Sequence, residues 1–216
     1  MQLKILYDNE ASGGLKSGWG FSCLVNEELL FDFGADVETL RFNVNMLNVD
    51  LSKIRWVVLS HEHWDHVGGY EILRSLGDVE VYILRSFSNS FKRKLSSFGN
   101  VDLRESKRLE KIDDDIFTTG ELGFLIKEQS LIVRTSNGVS VITGCSHPGL
   151  DKILKVASEL GRIHGVIGGF HSFSKLEILR DVELIVPCHC TMRKEEILTL
   201  YPNSSRRCSA GCIIEV

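Results

Sequence analysis

The chain has 216 residues, with 25 Lys and Arg against 29 Asp and Glu, and a formal net charge of -4. Apolar residues make up 43% and charged residues 25%, a globular balance that excludes a disordered chain, a collagen-like fibre and a polybasic nucleic-acid arm. The length and the absence of a Pro/Ser-rich linker imply one domain over residues 1–216 with a well-buried core.

Residues 1–8 read as a strand and lack the apolar core and cleavage site of a signal peptide. Residues 21–25 and 29–33 read as strands joined by a tight turn, with Cys23 in the core. Residues 37–47 place apolar side chains at helical spacing. Residues 56–59 form a short apolar run that stops at Ser60. Residues 69–76 read as a helix ended by Gly77, 79–84 as a strand, and 87–98 as a helix with Lys92, Arg93 and Lys94 on its wet side. Asp113, Asp114 and Asp115 form a solvated turn before a strand. Residues 116–119, 124–127, 130–134 and 139–143 look like successive strands, the last two joined by an Asn137-Gly138 hairpin turn. Residues 150–160 read as a helix stopped by Gly161. Strands follow at 166–167, 184–186 and 212–216, with a last helix at 195–200. Antiparallel strands followed by β-α alternation, in both halves, predict an α/β protein of two sheets with helices outside.

No apolar run approaches the roughly 18 to 20 residues that cross a bilayer, so no membrane partner is expected and the expected location is cytoplasmic. Six cysteines in such a chain do not argue for disulfides. Cys208 and Cys212 lack the second pair that would complete a zinc knuckle.

The strongest signal is Ser60-His61-Glu62-His63-Trp64-Asp65-His66-Val67-Gly68-Gly69, between a buried strand and a helix. At this composition an HxHxDH string is a roughly 4-in-10,000 coincidence, so chance does not explain it. His61 and His63 alternate along an extended segment and point to one side, where neutral imidazoles can grip a divalent ion. Asp65 and His66 follow in the turn and can reach a second ion. Imidazole with one carboxylate suits Zn, Fe or Mn better than Ca or Mg. Three more strings each end a strand: Gly144-Cys145-Ser146-His147-Pro148-Gly149, Gly168-Gly169-Phe170-His171 and Pro187-Cys188-His189-Cys190-Thr191. Ligands at one end of several strands are how α/β folds assemble sites. Cys188 and Cys190 flank His189, and in an extended segment both face away from it as packing residues. His164 has no motif around it.

These strings resemble the metallo-β-lactamase-fold superfamily of metal-dependent hydrolases. GCSHPG, GGFH and PCHCT are similar to the subgroup of dihydropterin ribofuranosyl-aminobenzene-phosphate synthase-like proteins. The resemblance runs from Gly20 to the C-terminus. It implies a four-layer αββα sandwich and a dinuclear site binding two divalent metal ions, zinc first, with iron or manganese compatible. It implies His61, His63 and His147 on one ion and Asp65, His66 and His189 on the other. Phe31-Asp32-Phe33-Gly34 matches the first motif, in which Asp32 supports the His loop from below. Two departures stand out. No His lies between His66 and His147, and Thr143-Gly144 is followed by Cys145 where the superfamily carries an aspartate. Cys145 is then either a ligand or a buried thiol.

The implied chemistry is metal-assisted hydrolysis, or a related metal-activated transfer, of a small-molecule substrate of the carbonyl or phosphorus class. Asp65 orients the attacking water and His171 contacts substrate or leaving group. A di-iron oxidoreductase on the same fold is an alternative, though His63 stands where that group carries a carboxylate. A nuclease is a second, disfavoured by the acidic balance and by short basic runs. A metal-stabilised binding domain without turnover is a third. The stretch from HxHxDH to GCSH is shorter than is usual in the subgroup, which implies a more open pocket or one roofed by a partner chain.

Overall fold

All 216 residues, Met1–Val216, are described by the computed structural model. Their contacts fall into two units, Met1–Ser106 with Ser209–Glu215, and Lys107–Cys208 with Val216. In chain order the first unit holds β1 (Gln2–Tyr7), β2 (Ser22–Val25), β3 (Leu29–Phe31), α1 (Val37–Met46), β4 (Trp56–Val58), α2 (Trp64–Val67), β5 (Val79–Leu84), α3 (Asn89–Ser96) and β6 (Val101–Ser106). The second holds β7 (Glu110–Asp113), β8 (Ile116–Thr118), β9 (Leu131–Thr135), β10 (Gly138–Thr143), α4 (Leu150–Ala157), β11 (Ile163–Gly169), β12 (Leu184–Cys188) and α5 (Lys194–Leu200). Strand β13 (Ile213–Glu215) returns to the first.

The first unit carries a seven-stranded sheet in the order β13-β1-β2-β3-β4-β5-β6. Its pairings are antiparallel from β13 to β3 and parallel from β3 to β6. The hairpin from β2 to β3 turns through Asn26 and Glu27, with φ of 52° and 64°. Left-handed residues in a tight hairpin turn match the right-handed twist of the flanking strands. Asp36 caps α1 by accepting from the Thr39 N–H at 2.7 Å, and its other oxygen accepts from the Tyr7 hydroxyl at 2.7 Å. Burial pushes the Tyr7 hydroxyl well above the usual tyrosine range, and the bond to Asp36 adds to it. The core gathers Leu24, Leu30, Phe33, Leu40, Val57 and Val81. Alternating buried and half-buried side chains on β5 show the period of two that drives this burial.

The second unit carries a six-stranded sheet in the order β12-β11-β10-β9-β8-β7. Pairing is antiparallel from β7 to β10 and parallel from β10 to β12. Its core includes Ile132, Val141, Leu150, Ile153, Val166 and Ile185. Both sheets are therefore mixed, as the α/β reading expected.

Four local differences have physical causes. Residues 70–75 form a 3-10 helix, not an α-helix. The Asn100 side-chain amide donates to the carbonyls of Leu73, Leu76 and Gly77, closing its end within a few residues. Residues 124–127 are a loop rather than a strand, with Phe124 89% and Leu125 91% exposed. Strands β6 and β7, absent from the sequence reading, are polar edge strands whose charged side chains mask the apolar alternation. No helix is long and apolar enough to cross a membrane.

Candidate metal centre

In the first unit the site begins where β3 and β4 end. Asp32, directly after β3, is fully buried with φ of 56°. Its carboxylate accepts from the Ser60 N–H at 2.7 Å, the Ser60 hydroxyl at 2.7 Å and His66 Nδ1 at 2.7 Å. A carboxylate with three donors is an acceptor, so the His66 proton sits on Nδ1 and Nε2 keeps its lone pair. Ser60 spends its single hydroxyl proton on Asp32. Its oxygen therefore accepts from His61 Nδ1, 2.9 Å away, which leaves His61 Nε2 unprotonated as well.

The imidazoles gather closely. His61 Nε2 lies 3.1 Å from His63 Nδ1, and the ring centres of His61 and His66 are 4.3 Å apart. Asp65 Oδ2 lies 3.8 Å from His66 Nε2. Two nitrogens bound tetrahedrally to one zinc at 2.0–2.1 Å would stand about 3.3 Å apart, so the His61–His63 pair fits such an ion with little adjustment. Glu62 points elsewhere: its carboxylate accepts from the Ser88 N–H and hydroxyl at the start of α3. The glycines after the motif permit the turn. A Cβ on Gly68 would stand 1.9 Å from the Ala35 carbonyl oxygen, so no larger residue fits there.

In the second unit three loops follow β10, β11 and β12. Glu128, only 1% exposed, grips the first. Its Oε1 accepts from Thr143 Oγ1 at 3.0 Å and from the N–H groups of Cys145 and Ser146 at 2.8 and 2.9 Å. Its Oε2 accepts from the His147 N–H at 2.8 Å. The loops are also sewn to one another. The Gly169 N–H donates to the Gly144 carbonyl and Ser146 Oγ to the Gly169 carbonyl. The Phe170 N–H donates to Thr191 Oγ1, and the Met192 N–H to the His171 carbonyl. Ser146, His171 and His189 are left-handed, with φ of 60°, 46° and 43°. Such a backbone costs a non-glycine residue about 1–2 kcal/mol, and it persists because the stitching over-determines it.

His147 and His171 have ring centres 5.1 Å apart. They line a cavity of about 440 Å³ with Phe170, Phe173, Asp151 and Lys175. Lys175 Nζ is 2.7 Å from Asp151 Oδ2, and the bond to the ammonium draws the Asp151 carboxyl below its ordinary range. Ligand atoms of Cys145, His189 and Cys190 all lie within 4.8 Å of one another.

A family model described as the metallo-beta-lactamase superfamily matches residues 25–189. The chain belongs to the metallo-β-lactamase superfamily. It is 29% identical over 231 residues to an uncharacterized protein of Methanocaldococcus jannaschii, with 88% of this chain and 90% of that one covered. It is 26% identical over 250 residues to the 7,8-dihydropterin-6-methyl-4-(β-D-ribofuranosyl)-aminobenzene-5'-phosphate synthase of the same organism, covering 88% and 85%. Among solved structures it resembles Tm1679, a metal-dependent hydrolase of the β-lactamase superfamily. The TM-score is 0.81 and the identity 29%, with 100% of this chain and 99% of that one covered. The fold is the metallo-β-lactamase fold, and the resemblance seen in the motifs is correct at the level of superfamily and subgroup.

Of the superfamily residues singled out in the sequence, His61, His63, Asp65 and His66 come together on Asp32 in the first unit. In the second, Cys145 joins His189, and His147 joins His171. Cys188 behaves as expected, fully buried on the Val186 carbonyl. Cys190 does not. The left-handed turn at His189 breaks the alternation of an extended chain and swings the Cys190 sulfur to the side of Cys145. Glu128 was missed altogether, since a lone Glu beside a supposed strand carries no motif. His164 faces Glu183, 3.3 Å away, and takes no part in the site.

Proposed function

We propose that this chain is a metal-dependent hydrolase, or a related metal-activated transferase, acting on a small-molecule substrate at a dinuclear centre, with zinc the first choice. The assignment of His61, His63 and His147 to one ion and of Asp65, His66 and His189 to the other is the superfamily's, carried over residue by residue. The observation that supports it most is the buried Asp32–Ser60 network, which sets the tautomers of His61 and His66 so that each keeps an unprotonated Nε2. A surface cluster of histidines would need no such device.

A divalent ion held there would supply Lewis acidity and lower the pKa of water towards about 7. The protein's own groups do the rest. Asp32 holds the His66 ring in place, and Glu128 fixes the loop that carries His147. Asp65 can accept a proton from the attacking water and orient it. His171, exposed and lining the cavity beside His147, can donate a proton to a leaving group or bind an oxyanion of the substrate. Asp151 already neutralises Lys175, so His171 is the group there suited to a phosphate-containing substrate. The transferase alternative draws support from the relative named as a synthase.

Elemental analysis of the purified protein should find one to two equivalents of a transition metal, reduced in His63→Ala. Protein free of transition metal, together with a His63→Ala variant of unchanged stability, refutes the proposal. Turnover on phosphoester, thioester and lactone panels then separates hydrolase from transferase.

A further inference from the structure

The geometry points to Cys145 and Cys190 as a peroxide-oxidisable dithiol, a modification site in the second unit that closes to a disulfide. All six cysteines are thiols in the structure. Cys190 Sγ nevertheless lies 3.2 Å from Cys145 Sγ, although the two residues are 45 apart in sequence. A disulfide bond is about 2.05 Å long, so closure needs the sulfurs to approach by roughly 1.1 Å.

The protein holds the pair in place from several sides. Glu128 anchors the Cys145 N–H. Thr191 anchors the other loop by donating its N–H and hydroxyl to the Cys188 carbonyl. Gly169 lies alongside, and a Cβ there would stand 2.7 Å from the Cys190 sulfur. The missing side chain is therefore what admits the sulfur.

The two thiols also differ in a useful way. Cys145 is 3% exposed, whereas Cys190 is half-buried. The more open Cys190 meets the oxidant and the enclosed Cys145 resolves it, as in two-cysteine redox sensors. Cys188 and Cys208 provide an internal contrast. Their sulfurs also lie within 4.8 Å of each other, yet both are buried, so no oxidant reaches either.

The oxidant is a hydroperoxide, ROOH. The Cys190 thiol attacks its outer oxygen, the O–O bond breaks, and Cys190 becomes a sulfenic acid as ROH leaves. The Cys145 sulfur then attacks the Cys190 sulfur, an S–S bond forms, and the sulfenic oxygen leaves as water with the Cys145 proton. In sum, two thiols lose two protons and two electrons, and the peroxide is reduced to ROH and water. A small dithiol reverses the step by exchange. Both sulfurs also lie within 4.8 Å of the His189 ligand nitrogen, so the inference is made for the protein freed of metal, and its failure there leaves the metal reading untouched.

The full chain, purified under reducing conditions and treated with a chelator, is exposed to hydrogen peroxide, alkylated and mapped by mass spectrometry. Two of the six thiols should disappear together in a Cys145–Cys190 linked peptide, at least about tenfold faster than Cys188 or Cys208 is lost. Dithiothreitol should restore both. In Cys145→Ser the linked peptide should vanish and Cys190 should be trapped as a dimedone adduct. In Cys190→Ser, Cys145 should survive. A circular dichroism melt confirms that each variant is folded. A different linked pair, oxidation of all cysteines at one rate, or an unchanged thiol count after peroxide each overturns the inference.

Discussion

The metal-suited residues of the two units are assembled in opposite ways. In the first, His61, His63, Asp65 and His66 come from six consecutive residues, and one buried carboxylate, Asp32, supports them through Ser60 and His66. In the second, His147, His171 and His189 come from three loops, each following a different strand of one parallel run. There a buried carboxylate, Glu128, binds main-chain N–H groups rather than the imidazoles themselves. A local motif needs support for its side chains. A dispersed set needs support for its backbone, because the loops have no shared helix or strand to place them.

That contrast can be broken by experiment. Asp32→Ala should have the largest effect. It leaves three donors around a buried cavity without their acceptor, at about 1–3 kcal/mol each, so urea unfolding should show a loss of about 4 kcal/mol. Competition with a metal chelator should show affinity weakened by about 10–100-fold. Glu128→Gln should cost less, about 2 kcal/mol, because one oxygen can still accept while the new amide opposes an N–H. Its diagnostic is faster amide exchange at Cys145, Ser146 and His147 with the first unit unchanged. If Glu128→Gln instead loosens His61 and His66, the two supports are not separate. Asp36→Ala, whose carboxylate bonds Thr39 and Tyr7 and no histidine, should cost about 1.5 kcal/mol through the lost cap of α1 and leave metal content untouched.

Tyr7→Phe should be the mildest, about 1 kcal/mol at neutral pH. Its pH dependence carries more information. Burial raises the Tyr7 pKa in the folded state, so the fold holds that proton more tightly than the unfolded chain does. The resulting stabilisation is complete below the unfolded value of about 10 and drains away as pH rises past it. Wild type should therefore lose its advantage over Tyr7→Phe just above pH 10 and become the less stable of the two at higher pH, measured by urea titration at several pH values. Parallel pH profiles would show that the Tyr7–Asp36 bond is not what titrates.

The same contrast explains what could be read from the sequence. HxHxDH was legible because its residues are contiguous, and Asp32 because Phe31-Asp32-Phe33-Gly34 matches the first motif of the superfamily. His147, His171 and His189 were legible as strand-end histidines, since parallel strands bring their ends to one edge. Cys190 was misread because pointing direction was inferred from an extended chain, whereas His189 adopts φ of 43°. Glu128 was invisible for a different reason. Its partners are backbone N–H groups, which every residue possesses, so no residue pattern announces them. The apolar residues at 124–127 suggest a buried strand, yet they form a loop in which Phe124 and Leu125 are exposed to solvent. Burial is a property of the folded surroundings, and composition reports it only on average.

The left-handed residues at Ser146, His171 and His189 bear on how this sequence could be redesigned. Glycine or asparagine sits more easily in that backbone than serine or histidine does. A procedure that scored substitutions by foldability alone would favour replacing all three, and with them two of the histidines proposed for the site. Thermal hardiness and chemical competence pull against each other at these positions. A library screened only for expression would drift away from the residues worth keeping.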